Sequence, residues 1–456
     1  MTMLKLFGII IFCGLLWPSQ GVLSGLSCAV SPAAVQNVLL NAIVRSGLLH
    51  QQVQSLVLPN IMSEGGLLNS PTIITGLHLV KIRVPDLSVT LSGIGVQINI
   101  AAKLELSGNC LVGLLSELIN ILVDVRIAAN IKCTNFESGT VQVVVEDCLC
   151  VIGGMKIKVL SGLLSLSVNA AVLSHLKGTL PGLLCPVLDI VLNIVNIQLL
   201  STLNVVIPVG TVGTIHYQLA SLPFTAGSFL GLDLDGVVKQ VGGGIIPHDS
   251  SPSALPPLLD KLMVLGVGES FLTAGVSLLL QVPARTFACT PAVCSACGGT
   301  SPLSLKLTLS GSPLILLEEN KATVKLSVLI HVFIKRADGS ILSILLLRAD
   351  LSLNARLSLS GVRLVLGLSL GRISLFLESS DVGITDVSTL KPHCSSLLGE
   401  MFLPLANAAL RPGIPLPKVL DIPLVKVEIR LQLGQVLIFV SGEDGASRSA
   451  LSTPLS

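Results

Sequence analysis

The chain has 456 residues, of which 51% are hydrophobic and only 12% charged, with a formal net charge of +2 at pH 7. That length accommodates two or three domains with real cores, and near-neutrality excludes a polybasic surface that coats nucleic acid. Aromatic residues make up 3%, so the apolar mass is Leu, Val and Ile.

The chain opens "MTMLKLFGIIIFCGLLWPSQG". Lys5 provides a positive start, Leu6 to Leu16 an apolar run too short to span a bilayer, and Ser19-Gln20-Gly21 a small or polar exit. Residues 1–21 therefore read as a secretory signal peptide. Of eleven cysteines, Cys13 would leave with it. The remaining even number, in a secreted chain, favours disulfides over metal or redox thiols.

The first element is a helix, "SPAAVQNVLLNAIVRSG", with Ser31 as N-cap, Pro32 at the first helical position and Gly47 as the stop. Strands follow over about 72–148. In "GVQINIAAKLEL" the inward set Val96, Ile98, Ile100, Ala102, Leu104, Leu106 alternates with polar or small residues, the pattern of a half-buried antiparallel strand. Next comes "LPGLLCPVLDIVLNIVNIQLL". On a helix, Asp189, Asn193 and Asn196 share a narrow wet stripe, while Val187, Leu188, Val191, Ile194, Val195 and Leu199 form a broad apolar arc. Pro181 and Pro186 predict a kink or a restart. Asn193, Asn196, Gln198, Ser201, Thr202 and Asn204 make a membrane span too costly.

A strand region ends near Val238, and the Gly/Pro/Ser-rich stretch 241–258 reads as a linker. The pattern then repeats. A helix, "GESFLTAGVSLLLQ", precedes a strand block over about 303–385, with Asp338-Gly339 as a hairpin turn. A helix, "SSLLGEMFLPLANAALR", and one closing strand, "KVEIRLQLGQVLIFV", complete the second half. The reading is α+β: residues 22–240 and 259–445 are two similar domains, each ordered helix, long sheet, helix, strand. Residues 446–456 form a flexible tail.

Catalytic motifs are weak. "GLSLG", Gly367 to Gly371, matches the nucleophile-elbow spacing, but Ser369 lies inside continuing alternation rather than a strand–turn–helix, so no catalytic residue is assigned. "CSAC", Cys294 to Cys297, reads as a disulfide-bonded loop, since no second pair or nearby His completes a metal site. The seven histidines are scattered, and neither a metal nor a cofactor is expected. Val35, Leu39 and Ile43 on the first helix, and Phe271, Leu272 and Val276 on its counterpart, read on their own as ordinary core.

Six segments in order carry a resemblance: "DCLCVIGG" from Asp147, "LPGLLCPVLDIVLNIVN" from Leu180, "PVGTVGTIHYQLASLPF" from Pro208, "LDLDGVV" from Leu232, "LMVLGVGESFLTAG" from Leu262 and "LRPGIPLP" from Leu410. The chain resembles the bactericidal/permeability-increasing protein (BPI) fold superfamily, in particular the long PLUNC branch, BPI-fold family B. The resemblance implies a two-domain boomerang, each domain a long helix wrapped by a strongly twisted antiparallel sheet, with a central sheet between. It implies an elongated apolar pocket per domain, and so gives Val35, Leu39, Ile43, Leu188, Val191, Val195, Phe271, Leu272, Val276, Leu398 and Phe402 as its lining. It also implies one disulfide, Cys148 to Cys185, which closes a loop worth about 4 kcal/mol in chain entropy. Pairing of Cys110 with Cys133, and of Cys289, Cys294 or Cys297 with Cys394, stays open, as do Cys28 and Cys150.

The function implied is a secreted, non-enzymatic carrier of lipids or amphipathic apolar small molecules, with no nucleic-acid partner and a family association with innate defence. An odorant-like carrier and a structural matrix protein are the alternatives. Residues 22–240 hold ten basic against eleven acidic residues, a net of −1, and residues 241–456 hold seventeen against fifteen, a net of +2. Only Lys81 with Arg83, and Lys156 with Lys158, form close pairs in the sheet of the first half. Contact with lipopolysaccharide or a membrane surface is therefore expected to be weak.

Overall fold

The structure is a computed structural model that describes residues 25–442, apart from 55, 64–71, 93–94, 113–114, 138, 160–165, 227, 250–253, 282, 289–302 and 336–337. The expected signal peptide, the tail 446–456 and Cys289, Cys294 and Cys297 lie outside the described residues.

β1 (Leu26–Val30) leads into α1 (Pro32–Leu39), whose first turn is closed by Ser31: its Oγ accepts the Ala34 N–H at 3.1 Å. α1 runs into a π-helical turn (Leu40–Arg45), and the left-handed Gly47 (φ 76°) separates it from α2 (Leu48–Gln54). β2 (Ile61–Ser63), β3 (Thr72–Ser92), β4 (Gly95–Val112), β5 (Leu115–Glu137) and β6 (Thr140–Val159) form an antiparallel sheet in chain order. On β4, Ile98, Ile100, Ala102, Leu104 and Leu106 are buried, as the alternation requires.

α3 (Leu166–Leu203) spans this sheet in 38 residues, about 57 Å at ~1.5 Å per residue. It is continuous through Pro181 and Pro186, where a kink or restart was expected. Each proline removes one helix hydrogen bond, but the segment between and after them is clamped to β6. Cys185 bonds to Cys148 there, and Asn196 Nδ2 donates to Val141 O at 2.9 Å. The expected wet stripe is also revised. Asp189, Asn193 and Asn196 are half-buried, with Asn193 Nδ2 donating to Asp189 O at 3.0 Å, while Ile190 and Ile197 are exposed. The asparagine side chains are used to satisfy backbone carbonyls rather than to face water.

β7 (Val205–Val209), β8 (Gly213–Leu219), β9 (Phe224–Ala226), β10 (Phe229–Gln240) and β11 (Ile245–Ile246) follow, β11 folding back on β10 within the linker stretch. The second half begins with β12 (Met263–Gly268) and α4 (Glu269–Leu279). β13 (Arg285–Ala288), β14 (Leu303–Glu318), β15 (Lys321–Lys335), β16 (Ile341–Ser360) and β17 (Arg363–Ser380) build its sheet. In the β15–β16 turn Gly339 is left-handed (φ 83°) and Asp338 Oδ1 accepts the Ser340 N–H at 2.8 Å. α5 (Lys391–Leu397), a π turn (Leu398–Phe402) and α6 (Leu403–Leu410) then cross it, and β18 (Ile414–Pro415) joins its edge. The expected single closing strand is a hairpin of β19 (Val427–Gln432) and β20 (Gln435–Val440), because Gly434 (φ 76°) reverses the chain.

The central sheet draws on both halves, in the order β19-β20-β12-β1-β10-β8-β7. β1 lies between β10 and β12, so Cys28 stands opposite Leu232 on one side and Leu265 on the other. The whole is a two-domain α+β boomerang, each arm a sheet curled over helices.

Cys110 and Cys133 cannot bridge. Cys110 stands opposite Glu117 near one end of the β4–β5 ladder, and Cys133 lies beyond the Val96–Ile131 pair at the other. Positions 117 and 133 are 133 − 117 = 16 strand steps apart, roughly 50 Å, far beyond the ~7 Å limit for Cα atoms of a disulfide.

Candidate functional site

The inner face of the first arm contains a slot with entirely aliphatic walls. Leu49 and Val53 come from α2, and Leu184, Val187 and Leu188 from α3. Ile82, Ile100, Ala102, Leu104, Val125 and Ile127 come from the inward rows of β3, β4 and β5. The two lateral walls are helices of very different size, one of 7 residues and one of 38. At rest the slot holds only about 10 Å³ of space for a water-sized sphere, room for about one water, and no polar wall side chain would hold that water. The site is therefore closed and dry. Ala102 is the one small residue among the Ile, Val and Leu side chains that line the slot.

Among the residues expected to line a pocket, Leu188 lines this slot. Val191 and Val195 continue its face along α3, and Val35, Leu39 and Ile43 point inward from α1 and its π turn; all are buried. In the second arm Phe271, Leu272, Val276, Leu398 and Phe402 are buried as well. Phe271 sits in an aromatic cluster, 6.0 Å from Tyr217 and 5.7 Å edge-on from His248 between ring centres. Sequence reading missed α2 and Ala102. A lone Ala in the inward row of "INIAAKLEL" was the available signal.

One disulfide pins the long wall: Cys148 on β6 bonds to Cys185 on α3, with Cα atoms 5.9 Å apart. Cys150 follows two positions later on β6 and remains a thiol, pushed above its ordinary pKa by burial. Burial raises the Cys28 and Cys133 thiols in the same way. Cys394 is buried in α5.

The outer face of the same sheet is mixed in charge. Lys81 pairs across the ladder with Glu105, Arg83 with Lys103, and Lys103 Nζ lies 3.9 Å from Asp124. Lys156 and Lys158 stand on the neighbouring rows opposite Leu122 and Asn120. The fold thus assembles a basic region from separate strands, interrupted by carboxylates.

Ser369 lies in the middle of β17 opposite Asn354, with no helix following it. A Cβ on Gly371 would collide with Ser352 O, at the bulge between Ser352 and Asn354. The second glycine of the motif serves strand packing rather than a nucleophile turn. Among the described residues no three or more His, Cys, Asp or Glu side chains gather as a metal site.

Comparison with known proteins accounts for this architecture. Residues 40–202 match the N-terminal domain of the LBP / BPI / CETP family, and residues 298–438 match its C-terminal domain. The chain is 32% identical over 398 residues to human BPI fold-containing family B member 4, covering 81% of this chain and 64% of that relative. It is also 32% identical over 372 residues to mouse BPI fold-containing family B member 3, covering 76% of this chain and 77% of the relative. The crystal structure of lipopolysaccharide binding protein superposes with a TM-score of 0.61 over 92% of this chain and 99% of that one, at 16% identity, which speaks to the fold alone. The protein belongs to the LBP / BPI / CETP family, and within it to BPI-fold family B.

Proposed function

We propose that the protein is a secreted, non-enzymatic lipid-binding protein, and that the aliphatic slot between α2, α3 and the β3–β5 rows takes the apolar chain of its ligand. The carrying observation is a wall set with no polar side chain, bounded on one side by a helix of only 7 residues. Burying each methylene there gains about 0.8 kcal/mol, so a chain of some ten methylenes gains roughly 8 kcal/mol. Opening costs the contacts between α2 and α3. A short helix after a left-handed glycine is the wall that separates most cheaply. The polar head then remains at the mouth. Membership of a family whose relatives include a lipopolysaccharide binding protein supports the lipid reading. The outer basic region, broken by Glu105 and Asp124, favours neutral or zwitterionic heads over endotoxin. A role in defence at mucosal or secretory surfaces follows from the family association.

The test is mass spectrometry of small molecules retained by protein purified from secreting cells. Ala102→Phe, which fills the slot from a strand rather than from the short helical wall, is expected to abolish retention of acyl chains. Unchanged retention would assign the lipid to another part of the molecule.

A further inference from the structure

A second concavity lies on the solvent side of α1 and shares no residue with the slot. Its volume is about 470 Å³, within the range of small-molecule sites. One wall is the outward face of α1 and its π turn, with Asn37, Asn41 and Arg45; the other is the segment after the 3₁₀ turn Val419–Asp421, with Asp421, Ile422 and Val425. The floor is tied across the two halves. Leu262 N–H donates to Val440 O at 2.9 Å, Ser31 N–H to Leu262 O at 2.8 Å, and Lys261 Nζ to Ser441 Oγ at 3.0 Å.

Two features single this cleft out. The far wall is bounded by non-glycine residues in the left-handed region: Leu420 (φ 51°), Asp421 (φ 58°) and Lys426 (φ 49°). Such backbone persists only where the surroundings impose it, and it clusters at ligand clamps. The walls also present one cation and one anion without an ion-pair partner among the described residues, Arg45 and Asp421. Arg45 Nη1 donates to Asn41 Oδ1 at 2.9 Å, which holds the guanidinium while leaving its other donors free.

We propose that this cleft, between α1 and the Asp421–Val425 wall, binds a small zwitterionic amphiphile. The anionic group meets Arg45 and the amides of Asn37 and Asn41, the cationic group meets Asp421, and a short apolar body lies over Leu262, Ile422 and Val425. Equal and opposite wall charges give no preference for a purely anionic or cationic ligand, whereas a zwitterion satisfies both. This goes beyond the lipid slot and does not depend on it.

The experiment is a calorimetric titration of the full chain with decyl sulfobetaine below its micelle-forming concentration. Phosphocholine, decanoate and decyltrimethylammonium serve as comparison probes. One saturable site is expected for the sulfobetaine, with each comparison probe binding about tenfold more weakly, and with Arg45→Gln and Asp421→Asn each costing about tenfold. Both residues are exposed, so folding tolerates the changes, and Val425→Arg offers a steric block that removes no charge. Ala102→Phe is expected to leave this binding unchanged while it blocks the slot, so the two sites fail separately. Unaltered affinity in all three cleft variants overturns the proposal, as does loss of binding in Ala102→Phe. Equal affinity for phosphocholine overturns the amphiphile and assigns the cleft to a free zwitterionic solute.

Discussion

Asn407 on α6 gives both ends of its amide to one residue of β17: Nδ2 donates to Leu368 O at 3.0 Å, and Oδ1 accepts the Leu368 N–H at 2.7 Å. Among the described residues the strand paired along that edge of β17 is the two-residue β18, at Arg363 and Leu364. A single side chain thus replaces a strand there, and in the first arm Asn196 meets one of the two groups of Val141, its carbonyl. Asn407→Leu leaves a half-buried donor and acceptor unmet, and is expected to lower stability by about 2–3 kcal/mol. A denaturant midpoint unchanged from the parent would refute this.

The Cys148–Cys185 bridge closes a loop of sequence separation 37. Replacing both cysteines by Ser is expected to cost about 4 kcal/mol, read by thermal unfolding. Non-reducing peptide maps at pH 8 should show this pair and an unmodified Cys150, because burial keeps the Cys150 thiol protonated. Recovery of a Cys150–Cys185 peptide would contradict the register of β6.

Cys28 and Tyr217 are fully buried, and both pKa values are raised by desolvation. A raised acid stabilises the fold fully below its unfolded pKa and loses that contribution as pH climbs toward the folded one. Stability should therefore begin to fall above about pH 8.5, where an unfolded thiol ionises, by about 1.4 kcal/mol per pH unit for each group engaged. Melting curves between pH 7 and 11 provide the check, and Cys28→Ala should make the decline above about pH 8.5 shallower without removing it, because the Cys110, Cys133 and Cys150 thiols are raised by burial as well.

The two glycines of "GLSLG" are predicted to behave oppositely. Gly371→Ala drives a Cβ against Ser352 O and should destabilise by about 2–4 kcal/mol, whereas a Cβ added at Gly367 meets nothing within 4 Å, so Gly367→Ala is tolerated. Ser369→Ala should alter neither stability nor any ester hydrolysis. A hydrolase activity lost in that variant would reinstate the nucleophile.

Endotoxin binding is expected to be weak, because Glu105 and Asp124 sit among Lys81, Arg83 and Lys103. In a competition titration at physiological salt, a zwitterionic phospholipid should displace lipopolysaccharide. Sub-micromolar lipopolysaccharide affinity that collapses with added salt would show the basic side chains acting together.

Strand alternation made the long sheets legible, since period-two burial needs only local pattern, and Ser31, Pro32 and Gly47 marked the first helix through their capping chemistry. What stayed hidden depends on partners distant in the chain. The uninterrupted course of α3 through Pro181 and Pro186 needs β6 to hold it, and the use of Asn196 needs Val141. The slot was half legible: Leu188 follows from an apolar arc, but Ala102 becomes significant only when α2 lies across its strand. The cleft joining Arg45 to Asp421 has no sequence signature, because its walls come from distant parts of the chain.

In the central sheet Val30, Met263 and Val440 stand side by side on β1, β12 and β20. An early strand and a much later one therefore share this sheet, with β12 between them. Until β20 arrives, β12 exposes a ladder edge rich in Val and Leu, which is a template for pairing with another chain. Assembly of this sheet is non-local and slow by nature. Chaperones that shield strand edges, rather than the apolar interior of either arm, would then set the yield of folded protein, and removal of β19 and β20 would be felt first as aggregation.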